Sequence, residues 1–118
     1  MRVTMFTCST PLSIATGDVL FTYVYLDPAS PPSEIMVTWI TNDSEHRAYW
    51  GANEIMYGKN NTTNRQRLGS LPHTGQWVLL DVPASAVGLE GKSVTGMTFS
   101  LYDGGATWDY TGKIGARP

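Results

Sequence analysis

"EIMVTWITNDSEHRAYWG", residues 34–51, is the stretch on which the fold turns. Two runs rich in β-branched and aromatic residues flank Asn42 and Asp43, a strong turn pair, so the segment reads as a β-hairpin. Strand side chains alternate between faces. If the turn has even length, Ile35, Val37 and Trp39 share a face with Ala48 and Trp50. That face is apolar and reads as core. The opposite face carries Met36, Thr38 and Ile40 with Glu45, Arg47 and Tyr49. It mixes apolar stems with a guanidinium, a phenol and a carboxylate. A three-residue turn would invert the second arm.

The same period-two signal recurs on both sides of the hairpin, and no segment has convincing helical periodicity. Strands are expected over 2–7, 19–27, 34–41, 46–51, 76–82, 94–103 and 106–113, with a short one at best over 55–58. Turn-forming residues separate them, and residues 28–33 hold three of the seven prolines. Seven or eight strands at this spacing predict an all-β, antiparallel β-sandwich or jelly roll. Trp39, Trp77, Leu79, Met97, Phe99 and Leu101, with Phe21 or its face-mates, are the expected core. The 118 residues make one domain, with 114–118 a flexible tail.

Composition narrows the function. Charged residues are 15% of the chain, against about 25% in typical soluble domains. The formal net charge is −2. Nucleic-acid binding needs a clustered basic footprint, and Arg65 and Arg67 in "NNTTNRQRLG" read instead as solvated side chains. The single cysteine, Cys8, excludes an intrachain disulfide and a thiolate metal site. No apolar run reaches the roughly 18 residues of a membrane helix. The N-terminal stretch is no convincing signal peptide, so any export signal is expected outside this chain.

Arg47 and Tyr49, helped by Met36 and Thr38, are the candidate ligand contacts. Sugar rings offer a CH-rich face to an aromatic and hydroxyls to a planar hydrogen-bonding group. Two alternatives stay open. Arg47 can pair with Glu45 and only order the surface. Trp50, next to Gly51 at a strand end, can be the exposed stacking residue instead.

From residue 17 on, the runs "GDVLFTYVYLDPASPPSEIM", "EHRAYWGAN", "LPHTGQWVLLDVPASAVGLEGKSVTGMTFSLYDGGATWD" and the closing "TGK" carry a resemblance. The chain resembles bacterial β-sandwich modules appended to large extracellular and YD-repeat proteins. Its second half is also similar to the galactose-binding-like jelly roll of many carbohydrate-binding modules. There a W-x-x-L-x-V-P strand, here Trp77 to Pro83, leads to a G-L-x-G loop, here Gly88 to Gly91. The resemblance implies a non-catalytic module at the cell surface or outside the cell. It also implies a structural calcium, with Asp109 as the first ligand candidate and Asp18 and Asp27 behind it. Relative to those modules the N-terminal part looks shortened. That leaves a sheet edge to pair with a second copy, unless residues 1–10 form a substitute strand.

The expected function is therefore a non-catalytic carbohydrate-binding or adhesion module for a cell-surface glycan. The alternatives are a structural or interaction domain with no small ligand, and a small glycoside hydrolase. Glycoside hydrolysis needs two carboxyls across a cleft. Glu34, Glu45, Glu54, Asp103 and Asp109 are available, but nothing in the sequence fixes their separation. Ser44, His46 and Asp43 supply the residue types of a hydrolytic triad, but sequence neighbours are not expected to reach its geometry.

Overall fold

The structure, a computed structural model, describes residues 2–114, with the side chains of residues 11–109 and 111–114. The side chain of Cys8 and the tail 115–118 lie outside that description. Eight strands form: β1 (Arg2–Ser13), β2 (Val19–Leu26), β3 (Glu34–Ile40), β4 (Glu45–Gly51), β5 (Gln66–Gly69), β6 (Trp77–Pro83), β7 (Ser93–Tyr102) and β8 (Ala106–Ile114). A single 3-10 turn, Ala84–Val87, is the one helical element among the described residues. It is not long enough to cross a membrane.

The strands make two packed sheets, an all-β sandwich, with orders β1-β7-β3-β4-β5 and β6-β2-β8. Among the described strands only β3 and β4 are both consecutive and antiparallel neighbours, so the hairpin read from residues 34–51 is the local seed of the larger sheet. Its register runs from Glu34 opposite Gly51 to Ile40 opposite Glu45. Thr41 N donates to the Ser44 carbonyl at 2.9 Å, closing an even-length connection. Ile35, Val37, Trp39, Ala48 and Trp50 accordingly enter the core together. The parity argument holds, and Trp50 is a buried residue rather than an exposed platform.

Between the sheets, Leu20, Val24 and Leu26 from β2 meet Leu80 and Val82 from β6 and Val94, Met97, Phe99 and Leu101 from β7. Trp108 of β8 stacks on Phe99 at 4.6 Å between ring centroids, tying one sheet to the other. Residues 2–13 do form an edge strand. β1 pairs antiparallel with β7 from Arg2 opposite Leu101 to Thr7 opposite Gly96, and resumes at Leu12 opposite Val94 after an irregularity. The edge of β7 is therefore covered within the chain by β1.

Three expectations need correction. Residues 55–58 are not a strand; the eighth strand is β5, further along the polar segment. β5 pairs with β4 in parallel, so the sandwich is mostly rather than wholly antiparallel. Parallel neighbours need a crossover connection, and here residues 52–65 make it by passing over the outer face of the hairpin. Finally, Phe21, Trp77 and Leu79 are not core. β2 and β6 are turned the other way, with Leu20, Leu80 and Val82 inward. Both faces of β2 are apolar, so alternation alone does not set the phase. The phenols of Tyr23 and Tyr25 on the Phe21 side favour water for that face.

Candidate functional site

The crossover changes the meaning of the hairpin's second face. Met36 and Tyr49 are fully buried and cluster with Ile55 from the crossover. Arg65, at the crossover's end, lies over the Tyr49 ring with its guanidinium carbon 4.3 Å from the centroid. Arg65 also donates to Glu34 at 3.0 Å, to the Asn53 side-chain oxygen at 2.7 Å and to the Tyr57 carbonyl at 3.2 Å. Glu34 in turn accepts from the backbone N–H groups of Glu54 and Ile55. Arg65 is thus no solvated loop side chain; it is the largest of the fully buried ones.

The four expected contact residues Arg47, Tyr49, Met36 and Thr38 do come together on one face, but all are buried and none offers an open floor. Tyr49 donates its hydroxyl proton to Asn60 at 2.7 Å. Arg47 pairs with Glu45 at 2.8 Å and reaches the Asn64 carbonyl at 3.3 Å. The plainer alternative for Arg47, an ion pair with Glu45, is the geometry found.

The open aromatic face lies on the other sheet. Successive outward residues of β2 are Phe21, Tyr23 and Tyr25. Opposite Tyr25 stand Trp77 of β6 and Thr107 of β8; opposite Tyr23 stand Leu79 and Asp109; opposite Phe21 stand Asp81 and Gly112. Directly opposed residues share a face, so these three rows form one surface. Trp77 is 50% exposed, Leu79 41% and Tyr23 37%. Rows two residues apart are about 7 Å apart and strands about 4.8 Å. The strip is therefore roughly 14 Å long and 10 Å wide.

Its rings are mutually braced. Tyr25 and Trp77 lie 5.7 Å apart, tilted by 55°, and Phe21 meets Tyr23 edge-on at 6.4 Å. Phe21 also passes close over Gly112, where a Cβ would stand 3.4 Å from the ring. Braced rings lose little side-chain freedom when a ligand lands on them. Asp81 and Asp109 flank the strip on its two outer strands. At the end of β2, a cleft of about 280 Å³ is lined by Tyr25, Asp27, Gly105, Ala106 and Thr107.

The acidic residues implied for calcium do not converge. Asp18 precedes β2 and Asp27 follows it, so an eight-residue strand separates them. Asp109 faces the middle of that strand, opposite Tyr23. Asp18 is buried, accepts from Ala15 N at 2.7 Å and pairs with Lys113 at 2.7 Å. Calcium takes six to eight oxygen ligands. No group of three or more His, Cys, Asp or Glu side chains is gathered among the described residues. The three aspartates as placed do not fit one calcium ion.

Ser44 and His46 meet, but with Asp43 the three residues do not form a triad. The Ser44 hydroxyl sits 2.8 Å from His46 Nε2, so close neighbours do reach this contact. His46 Nδ1 faces the Val87 carbonyl, which can only accept, so Nδ1 donates there. Asp43 bonds to the hydroxyls of Thr41 and Ser44 rather than to the imidazole. The third position of a triad is a backbone carbonyl here, and the Ser44 N–H is already given to Thr41. Of the carboxyls considered for glycoside hydrolysis, Glu34 is consumed by Arg65 and Glu45 by Arg47.

The sequence analysis placed Phe21 or its face-mates in the core, whereas that face of β2, with Tyr23 and Tyr25, turns outward. A usable signal was present: two phenols alternate with a row, Leu20, Thr22, Val24 and Leu26, in which three of four residues are aliphatic. No family model, curated protein or solved structure matches the chain.

Proposed function

We propose that the chain is a non-catalytic carbohydrate-binding module whose contact surface is the outer face of the β6-β2-β8 sheet. One observation carries this reading: Trp77 and Tyr23 stand exposed on one face, each braced by a half-buried ring, Tyr25 and Phe21, with Asp81 and Asp109 at the sides. Flat aromatic rings supply stacking area for the CH faces of pyranose rings. Carboxylates accept hydrogen bonds from sugar hydroxyls. An exposed, contiguous aromatic surface on a soluble β-domain marks a contact site more often than chance decoration. The resemblance of the Trp77 to Pro83 strand and the Gly88 to Gly91 loop to those of carbohydrate-binding jelly rolls supports the same function. The cell-surface or extracellular bacterial setting implied by that likeness belongs to this proposal.

The test is a glycan array with the purified chain and with Trp77→Ala and Tyr23→Ala. Binding by the parent chain that both variants lose, with melting temperatures kept, is the expected result. A second reading rests on Leu79, an aliphatic side chain in the middle row that suits a protein surface better than a sugar. If the array is blank and the chain dimerises in light scattering until Leu79→Asp is introduced, the face is an interaction surface between copies.

A further inference from the structure

We infer that the cleft at the end of the aromatic strip is a hydroxyl-reading subsite, with Asp27 as the residue that sets ligand orientation and rejects acidic sugars. The inference rests on the glycan-binding reading of the strip and deepens it. Tyr25 belongs to both places: it braces Trp77 on the strip and lines the cleft. A ring stacked on the Tyr25–Trp77 pair therefore has its rim at the cleft mouth, beside Asp27.

Asp27 is held as an acceptor. Its Oδ1 takes the Ala29 N–H at 2.9 Å, and its own N–H goes to the Gly105 carbonyl at 3.0 Å. Among the described residues no hydrogen bond reaches Oδ2. That oxygen looks toward Gly105, where a Cβ would stand 3.7 Å from it. A methyl group there is in ordinary contact, so the backbone does not require glycine at 105. What the glycine leaves is open space in front of a fixed, half-buried carboxylate oxygen.

An ionised carboxylate only accepts. It recognises sugar hydroxyls and repels a uronic acid carboxylate. Asp81 repeats that preference along the strip, and no Lys or Arg lies among the outward residues of β2 and β6. The ligand class is therefore a neutral oligosaccharide with free hydroxyls on the sugar nearest Asp27.

Affinity electrophoresis separates the possibilities. The parent chain, Trp77→Ala, Asp27→Asn and Gly105→Ala are run through gels containing hydroxyethyl cellulose, laminarin, galactomannan or polygalacturonate. Retardation of the parent by a neutral polymer but not by polygalacturonate is expected. Asp27→Asn exchanges a charge-assisted hydrogen bond for a neutral one and should weaken binding roughly tenfold. Gly105→Ala should weaken it comparably while leaving the melting temperature in place, which separates an occluded cleft from a damaged fold. If Trp77→Ala abolishes retardation and both cleft variants bind like the parent, the subsite is refuted and the strip stands. Stronger retardation by polygalacturonate than by every neutral polymer also overturns the subsite. If no polymer retards the parent, the strip reading falls and the subsite falls with it.

Discussion

Arg65 and Glu34, 31 residues apart in sequence, meet as an ion pair at 3.0 Å with side chains only 2% and 0% exposed. The pair fastens the 52–65 crossover onto the central hairpin. A buried charge left without its partner is costly, and removing one member of such a pair typically loses about 3–5 kcal/mol. Arg65→Met is expected to fall in that range by urea denaturation. The double variant Glu34→Gln/Arg65→Met should recover part of the loss, because no lone charge remains. Arg67→Met is the control: Arg67 is exposed and gives its Nε–H to the Gly51 carbonyl. An Arg65→Met loss no larger than that of Arg67→Met would mean the crossover is held by Ile55 and Met36 alone.

Two tryptophans should behave in opposite ways. Trp39 is buried between the sheets, and Trp77 is half exposed on the strip. Trp39→Ala leaves a cavity in the core and is expected to cost about 3–5 kcal/mol. Trp77→Ala removes a ring that touches Tyr25 on one side and water on the other, and should cost less than about 1.5 kcal/mol. Paired urea titrations measure both. Equal losses would place Trp77 in the core, as the sequence alone suggests.

Asp43, at the tip of the β3–β4 turn, titrates below the ordinary carboxylate range. The Thr41 hydroxyl contributes most, then the positive charge of Lys92, then the Ser44 hydroxyl. A depressed folded pKa means the stabilisation is present above the unfolded value, about 3.9, and is lost as pH falls through the lower folded value. Asp43→Asn should therefore unfold at lower urea than the parent near about pH 6, and at the same urea near about pH 2. The difference will be small, since Asp43 is fully exposed to solvent. A gap that persists unchanged in acid would assign the effect to turn geometry rather than to charge.

What could be read from the sequence depended on whether a rule had only one solution. The hairpin came close: Asn42 and Asp43 marked the turn, and an even connection, which the structure has, sets the apolar row of Val37 and Trp39 against the mixed row of Thr38 and Arg47. Most strand positions followed from the same alternation, except that 55–58 is no strand and β5 was missed, and Met97, Phe99 and Leu101 were correctly placed inside. β2 had two solutions, because Leu20, Val24 and Leu26 alternate with Phe21, Tyr23 and Tyr25 and either row can make a core. Choosing the wrong one hid the aromatic strip. The burial of Tyr49 was illegible for a different reason. Its cover depends on a parallel β4–β5 pairing and on the distant Glu34–Arg65 contact, and neither leaves a local pattern. The candidate site was thus present in the sequence as residues but not as a surface.

Gly104 and Gly105 are neighbours that should answer the same mutation differently. Both lie in the arch by which the chain leaves β7 in one sheet and enters β8 in the other. Gly104 has φ 65°, in the left-handed region, and follows Asp103 at φ 60°. A Cβ on Gly104 would collide with the Ser30 carbonyl oxygen and lie 2.6 Å from the Pro31 carbonyl oxygen. These are backbone atoms, so no side chain can swing aside. The left-handed conformation alone costs a residue with a Cβ roughly 1–2 kcal/mol, and the collision adds to it. Gly104→Ala is expected to lose at least about 2 kcal/mol and to loosen the arch against residues 28–32. Gly105 has no such φ, and its Cβ would meet only Asp27 at ordinary contact distance. Its N–H still reaches the Ser30 carbonyl at 2.9 Å after substitution. Gly105→Ala should stay within about 0.5 kcal/mol of the parent, as is usual for a substitution that breaks no packing or hydrogen bond. Thermal melts of the two variants side by side decide it. A Gly105→Ala loss as large as that of Gly104→Ala would show the arch needs both glycines for its path, and that the open space before Asp27 is incidental to the turn.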